Sequence, residues 1–540
     1  MMMTEWKDAP ADERTQVLVI GAGLAGLSTA AFLARRGIDV LVVEKHPGTS
    51  PHPRAAGQTP RTMELLTTAG VADAVRAAGA GLGGGLTIKI AESVHGQVFH
   101  TILEDLGDVD TSRMSPAPWC MATQDKVEPI LAEQAEKSGA RTRFSTEVVD
   151  VAQDADGVSV RLLDRWTERL TTVRADYLVA ADGHRSPTRE RLNIPRTGPG
   201  ALSNVVGVLF EANLTKPLKD RTMSLYYLRN PHFTAAFGGT TEENRYIFAC
   251  EYHPERGESV RDFPPERITE LLRIALDEPE LEPHILSVQA WEMAARIADK
   301  FRDGRIFLAG DAVKVTPPTG GMGGNTAVCD GFDLAWKLAA VCRGEAGPGL
   351  LDSYEAERKP FAEQVVNTSL HNAKARMAPD LDLSGRPEPI DQLGIWFGLR
   401  AISGATLIPP GDTDLVEDPA DPSGRPGFRA PHLWLERDGE RVSTVDLFGA
   451  DWVLFTGTEG GLWHQAAAAA ARELGISVAA YGLGPDLVDP TGGEFESRYG
   501  LAGGGASLVR PDGVVAWHTD TEPADPAATL LSVLRRLLDR

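Results

Sequence analysis

Residues 16–44 read QVLVIGAGLAGLSTAAFLARRGIDVLVVE, and this stretch decides the fold. An apolar run ends at Gly21, two further glycines follow at Gly23 and Gly26, and an amphipathic segment reaches Gly37 before a second apolar run ends at Glu44. That order predicts a strand, a tight turn, a helix and a parallel strand, the first unit of a dinucleotide-binding sheet. Gly21 permits the turn, Gly23 lets backbone approach a diphosphate, and Gly26 lets the helix pack close to the sheet. The helix N-terminus offers free N–H groups and a positive dipole end to that diphosphate. Glu44, 18 positions after Gly26, accepts the hydroxyls of an adenosine ribose and repels a 2′-phosphate, so FAD or NAD suits this site and NADP does not. The bland reading of the glycines alone is a structural turn.

The chain has 540 residues, 42% of them hydrophobic and 24% charged, with a formal net charge of −22. Such a length predicts about two to four domains. The negative charge excludes nucleic acid and anionic membrane as partners, since both would be repelled. No apolar run is long enough to span a bilayer. The N-terminal MMMTEWKDAPADERT is polar and acidic with no apolar signal core, so a cytoplasmic location is expected. Cys120, Cys250, Cys329 and Cys342 form no CxxC pair, which predicts neither a disulfide framework nor a metal site.

Beyond Glu44 the chain enters a proline-rich loop carrying Arg54, which faces a cofactor or nucleotide phosphate or else is a surface arginine. Thr62–Ala69 reads as a short helix stopped by Gly70, and GAGLGGG at residues 79–85 reads as a flexible crossover. Two antiparallel strands are expected around Leu86–Ile90 and Gly96–Leu103. Gln124 and Asp125 then precede a helix, with Asp125 as its cap and Gln124 placed to hydrogen-bond something lying over the sheet. A hairpin turns at Asp156-Gly157. A buried strand, 174–181, delivers Asp182, Gly183 and the run to Arg189, which is expected to bond back to its own loop. From Val205 to Ile297 the texture becomes antiparallel strands rich in aromatics, including Tyr226, Tyr227, Phe233, Phe237, Tyr246, Phe248, Tyr252 and Trp291. A sheet with one apolar face suits a flat hydrophobic ligand, although an ordinary sheet core has the same composition. A second phosphate-or-anion loop follows the strand at Ile306–Ala309. There Asp311 accepts from a sugar hydroxyl, and the Gly320–Asn325 backbone with its helix dipole stabilises negative charge.

Three motifs therefore occur in order: Gly21-x-Gly23-x-x-Gly26 with Glu44, Asp182-Gly183-x-x-Ser186-x-x-Arg189, and Gly310-Asp311 with the GGMGGN loop. Together they resemble the single-component FAD-dependent aromatic hydroxylases, the group that includes p-hydroxybenzoate and phenol hydroxylases. PRAAGQTPRTMELL and VTPPTGGMGGNTAV are similar to hydroxylases that tailor aromatic polyketides, such as the anthracycline aklavinone hydroxylases and their tetracycline-like and angucycline relatives. The resemblance implies an α/β fold: a discontinuous Rossmann-like FAD-binding domain of the p-hydroxybenzoate hydroxylase type (1–77, 106–189 and 301–400) and an inserted, mainly antiparallel substrate-binding sheet (78–105 and 190–300). A linker (401–430) and a thioredoxin-like C-terminal domain without CxxC (431–540) complete it.

The same resemblance implies that Gly21, Gly23, Gly26 and Glu44 hold the ADP half of FAD. Gln124 and Asp311 would bind the ribityl and diphosphate region, and Gly320–Asn325, including Gly321, Gly323, Gly324 and Asn325, would face the isoalloxazine. Asp182 and Gly183 belong to a motif linked with both FAD and NADPH, and Ala25, Lys45, Arg54 and Pro318 complete the cofactor-binding set. Many relatives have His where this chain has Lys314, a cation expected near a phosphate or in solvent and given no catalytic role. The implied reaction has NADPH reduce FAD, molecular oxygen add as a C4a-hydroperoxide, and one oxygen atom pass to an aromatic polyketide. The protein's tasks are then to stabilise anionic flavin, exclude water with the aromatic sheet, and polarise a substrate phenol. Tyr227 and Arg376 are the catalytic candidates for the last task, and a structural role is the alternative for each. Two other readings compete: a Baeyer–Villiger or other ring-oxidising flavin oxygenase on the same scaffold, and a non-catalytic flavin-binding protein with an interaction module. Whether the C-terminal domain forms a homodimer stays open.

Overall fold

The computed structural model describes residues 11–80, 85–214, 218, 224–501 and 504–540. The crossover expected at 79–85 thus lies mostly outside the described residues.

The glycine-punctuated stretch folds as strand Glu13–Ile20, helix α1 (Leu24–Arg35) and strand Val40–Val43. The strands are parallel, with Ile20 level with Val43. Val17, Leu18, Val19, Val40, Leu41 and Val42 are wholly buried, as strands covered on both faces must be. Gly21 turns at φ +100°, and a Cβ there would strike the Ala181 carbonyl, so only glycine is tolerated. Strand Leu170–Ala180 runs parallel on the other side of the first, and Ile306–Leu308 runs parallel beyond it. Ile20, Val43, Ala180 and Leu308 are level with their neighbours. Gly21, Glu44, Asp182 and Asp311 therefore leave the carboxyl ends of adjacent strands, the edge at which open parallel sheets bind ligands. The hairpin Thr146–Gln153 and Val158–Asp164 turns at the expected Asp156-Gly157 and pairs with the side of this sheet.

Helix α2 (Pro60–Ala69) starts from an N-cap at Thr59 and stops at Gly70, φ +77°. Helix α3 (Gln124–Lys137) corrects one expectation: its N-cap is Thr123, and Asp125 lies in the first turn, where its charge favours the dipole without capping.

The second sheet has eight strands, ordered Lys314–Val315, His284–Ala298, Arg196–Glu211, Arg245–Tyr252, Phe233–Gly239, Ser224–Asn230, Thr87–Ala91 and Val98–Leu103. Every neighbouring pair is antiparallel except Ser224–Asn230 with Thr87–Ala91. Helix α4 (Pro265–Leu276) lays Ile268, Leu272, Ala275 and Leu276 against one face of it. The chain then returns to the first sheet, and helix α5 (Met322–Cys342) begins inside the GGMGGN loop rather than after it. Helix α6 (Asp352–Arg376) follows and runs through Pro360.

At the C-terminal end, strands Val478–Gly482, Trp452–Thr456, Ala506–Val509 and Val515–Thr519 form a sheet in that order, the first pair parallel and the others antiparallel. With helices α7 (Gly461–Leu474) and α8 (Pro526–Leu537), this is thioredoxin-like topology without the CxxC. Its core is continuous with α5 through Trp336 and Ala340. The intervening segment is irregular but pinned: buried Arg400 pairs with Asp412 and donates to the Pro426 carbonyl. Among the described residues no helix is long and apolar enough to cross a membrane.

Candidate active site

Helices α1 and α5 meet at the ligand-binding edge, and both begin without a side-chain cap, at Gly23 and at Gly321. They lie against each other from their first turns. A Cβ on Gly324 would come within 3.1 Å of Leu24 and 2.9 Å of Ala55, and one on Gly331 within 2.9 Å of the Thr29 nitrogen. Phe32 and Phe332 continue the contact edge-on at 4.6 Å. Two positive dipole ends thus open on one cleft, an arrangement that favours a bound anion.

Around these ends the expected cofactor residues are gathered. Space above Gly23 is open, the nearest atom to an added Cβ being Glu128 Oε1 at 3.7 Å. Ala25 is buried, with its methyl 2.7 Å from where Gly310 would carry a Cβ. Glu44 accepts from the Ala22 nitrogen at 2.9 Å and from His46, so its carboxylate is held at the tip of its strand, beside exposed Lys45. Asp182 accepts from the Thr188 nitrogen through one oxygen, while its buried Oδ1 has no partner. Gly183, at φ +79°, has nothing within 4 Å of an added Cβ. Arg189 bonds back to the carbonyls of His184 and Arg185, as expected, and reaches Ala312 of the third motif. Asp311 is solvent-accessible although deep among protein atoms, the combination a group at the floor of a cleft has. Burial pushes its carboxyl up, and Lys314, His184 and Arg54 pull it back. Arg54 is exposed and acts electrostatically on Asp311, His184, His52 and Glu128. Pro318 accepts from the Gly321 nitrogen at 3.1 Å, which sets the turn into α5. Thr316 Oγ1, near Gly323, is a second buried polar atom without a partner. Open backbone at Gly23, two uncapped helix ends and two orphaned polar atoms together fit FAD.

The Asn325 side chain is occupied within the protein. Its Oδ1 accepts from the Thr59 nitrogen and Thr62 hydroxyl at 2.9 and 2.6 Å, and its Nδ2 donates to Gly57 and Gly321 carbonyls at 2.9 Å each. The amide is fully used in holding loop 57–62 to the start of α5, and only its backbone is left for a ligand. Gln124 likewise donates to Glu128 Oε1 at 2.6 Å. Glu128 itself was not foreseen; buried, with its carboxyl pushed up by desolvation, it orients Gln124 and also holds the Ser50 nitrogen. Its signal was the i, i+4 spacing on α3.

Lys314 is neither solvated nor placed on a phosphate. It is 2% exposed and pairs with Asp330 at 2.5 Å, while Arg358 grips the other Asp330 oxygen at 2.9 and 2.7 Å. Asp330 also accepts from the Gly310 nitrogen at 3.2 Å, so this buried triad braces the turn that presents Asp311.

The aromatic sheet is a further correction. Tyr226, Phe233, Phe237, Tyr246 and Phe248 belong to the core under α4, and Tyr252 packs against it. Strand alternation sends these residues to the face away from the cofactor edge. The opposite face is aliphatic: Ile90, Tyr227 and Met377 cluster with Ile88, Ile102, Leu225 and Ala236. Tyr227 and Arg376 do come together, the guanidinium lying 5.7 Å from the ring centroid. Arg376 also donates to Asn372 at 3.1 Å, and the Asn372 amide lies 3.0 Å from where Gly320 would carry a Cβ. Gln392 donates to the Gly320 carbonyl at 2.8 Å; nothing local in the sequence announces that contact. Across the cleft Gln289 of the sheet meets His52 at 2.5 Å. Asp333, Glu357 and Asp512 bring three carboxylates within 4.8 Å, but their oxygens accept from Lys337 and Arg510, which stand where a metal would.

Residues 14–369 match the family model described as FAD binding domain, and residues 423–540 match aromatic-ring hydroxylase, C-terminal. Aklavinone 12-hydroxylase RdmE of Streptomyces purpurascens is 52% identical over 98% of this chain and all of its own. Tetracenomycin A2 monooxygenase-dioxygenase of Streptomyces glaucescens is 38% identical over 98% of this chain and 97% of its own. A solved ternary complex of aklavinone-11 hydroxylase with FAD and aklavinone superposes with a TM-score of 0.94 at 51% identity, covering 98% of this chain and 100% of that one.

Proposed function

Because this chain belongs to the family of FAD-binding aromatic-ring hydroxylases, we propose that it hydroxylates a multi-ring aromatic polyketide of the anthracyclinone kind with NADPH and molecular oxygen. The observation that carries this reading is the bridge at the end of α6, where Asn372 borders the flavin loop and Arg376, bonded to it, lies over Tyr227 of the aliphatic sheet face. A flat polycyclic ring lying on that face has its edge at the start of α5. The identity with aklavinone hydroxylases over nearly the whole chain supports the substrate class.

FAD, when bound, supplies the redox and oxygen chemistry. Gly21, Gly23 and the first turn of α1 bind its diphosphate, and Glu44 binds its ribose. The first turn of α5 stabilises negative charge on the ring system through backbone N–H groups and the dipole. Asp311, whose carboxyl burial pushes up against the opposing pull of Lys314, His184 and Arg54, hydrogen-bonds a cofactor hydroxyl. Ile88, Ile90 and Leu225 exclude water from the reacting edge. Arg376 places a fixed cation beside Tyr227 and draws a substrate phenol toward phenolate, which raises the ring's electron density at the carbon attacked. NADPH, refused by Glu44 at the ADP site, docks beside the second motif. Arg185, Arg54 and Arg196 each act electrostatically on His184 there, a cationic surrounding that suits the NADPH phosphates.

The test is NADPH oxidation with and without a panel of anthracyclinones, tetracyclic quinones and simple phenols, with the products identified by mass and NMR. Stimulation by one polycycle and a new aromatic hydroxyl are expected. A ring-expanded lactone would replace hydroxylation by Baeyer–Villiger oxidation, and stimulation by simple phenols alone would overturn the polyketide assignment.

A further inference from the structure

Helix α2 is held at one end by the flavin loop and along its side by the C-terminal domain. At its start, the Thr59 nitrogen and Thr62 hydroxyl donate to Asn325, the residue that fastens the beginning of α5. In the same first turn, Arg61 donates to Glu64 at 2.8 Å and to the Asp512 carbonyl of the C-terminal domain at 2.7 Å. Glu64, its side chain 2% exposed, also receives Arg429 at 2.5 Å and Ser115 at 2.6 Å. Arg429 continues to the Met114 carbonyl at 2.8 Å. At the far end Gly449 packs on Thr68, and its carbonyl accepts from Arg36, the residue that follows α1. A surface appendage would not need a desolvated carboxylate, two arginines and a backbone carbonyl at its seam, since each buried charge costs stability unless fully paired.

We infer that the C-terminal domain sets the geometry of the flavin loop through α2, with Arg61 and Glu64 as positioning residues. Fixing the side of α2 fixes Thr59 and Thr62, these fix Asn325, and Asn325 orients the first N–H groups of α5 toward the cofactor. Neither Arg61 nor Glu64 touches FAD in this account; each acts through Thr62 and Asn325. The inference rests on the FAD assignment but not on the choice of substrate.

The experiment compares the full-length protein with Arg61→Met, Thr62→Val and the double variant, reading three quantities: Tm, FAD Kd by fluorescence quenching, and amide exchange of residues 321–326 in the FAD-free protein. Arg61→Met is expected to raise Kd about three- to tenfold, to speed exchange at 321–326, and to leave exchange in the strand 13–20 unchanged. The double variant is expected to add little to the effect of Thr62→Val, because both cut one path. Arg61→Lys, which keeps a donor toward Glu64, is expected to recover part of the Kd. A lowered Tm with Kd and local exchange unchanged would show a merely structural seam and overturn the inference, as would strictly additive effects on Kd. Failure of the unsubstituted protein to bind FAD would instead overturn the cofactor assignment.

Discussion

At the residue scale, Arg376 and Lys314 are two cations with opposite fates. Arg376 donates to Asn372 and lies over Tyr227 with no carboxylate paired to it among the described residues, which leaves its charge available to a substrate. Arg376→Met is expected to lower kcat with a phenolic substrate by about 10²-fold while FAD content stays normal. The loss should shrink as pH rises and the substrate phenol ionises unaided; a pH profile of kcat for both proteins checks this. Lys314, in contrast, is spent on Asp330. Lys314→Met leaves Asp330 Oδ2 with the Gly310 N–H but no cation and is expected to cost about 3 kcal/mol, the usual price of breaking a buried pair, read as a lower denaturation midpoint. In the sequence both are plain basic residues flanking the flavin loop, Lys314 shortly before it and Arg376 at the end of α6 well after it, and charge alone does not tell their roles apart. What separates them is Asp330, one helix away, and no local pattern records that pairing.

At the scale of elements, the three glycine motifs were legible because each must satisfy a backbone constraint that only glycine meets, as at Gly21, where a Cβ would strike the Ala181 carbonyl. The faces of the second sheet were not legible. Both faces are apolar, and adjacent Tyr226 and Tyr227 point opposite ways; only the docking of α4, fixed by Ile268 and Leu272, tells which tyrosine is core. The contact between α1 and α5 yields a further expectation. Gly331→Ala gains helix propensity of about 1 kcal/mol, yet its methyl would meet backbone of α1, at the Thr29 nitrogen and Ala25 carbonyl, at 2.9 and 3.0 Å. Overpacking against rigid atoms costs up to about 3 kcal/mol, so net destabilisation of about 2 kcal/mol is expected by urea unfolding, together with weaker FAD binding as the two dipole ends move apart.

For the whole molecule, the seam between the third motif's helices and the C-terminal domain is titratable. Arg510 and Lys337 are fully buried among Asp333, Glu357 and Asp512. Burial pushes the Asp333 carboxyl up to about 6, while Arg510 and Lys337 overcome burial at Glu357 and hold it below the usual range. A carboxyl raised in the folded state binds its proton more tightly there than when unfolded, so its contribution to stability grows as pH falls from about 7 toward 5. Glu357 works the other way: its contribution is full above its unfolded pKa and is lost as pH falls through and below about 4.3. Tm is therefore expected to peak near pH 5 rather than near neutrality, and Asp333→Asn should flatten the limb between pH 5 and 7 while leaving the acid limb in place. Differential scanning calorimetry across pH 3–8 checks both, and a Tm rising steadily from pH 5 to 7 in the unsubstituted protein would refute the assignment to Asp333. The seam as a whole was not visible in the sequence, because its three pieces, 333–337, 357 and 510–512, are far apart in the chain.

The strands Arg196–Glu211 and His284–Ala298 pair along almost their whole length, and the second also pairs with Lys314–Val315, which begins three residues after Asp311. Under the proposed function this ladder works as a gauge: its residue count sets how far the sheet extends from the turn that presents Asp311. Adding two residues to each strand would move the outer floor by about 7 Å while keeping every side chain on its own face. Adding one would turn Val206, Val208 and Phe210, now under α4, toward the cofactor edge. Enzymes on this scaffold that accept longer or shorter ring systems are thus expected to differ here by even numbers of residues, and the bulges already present near Ser287, Ala294 and Ile297 are where single residues could be absorbed.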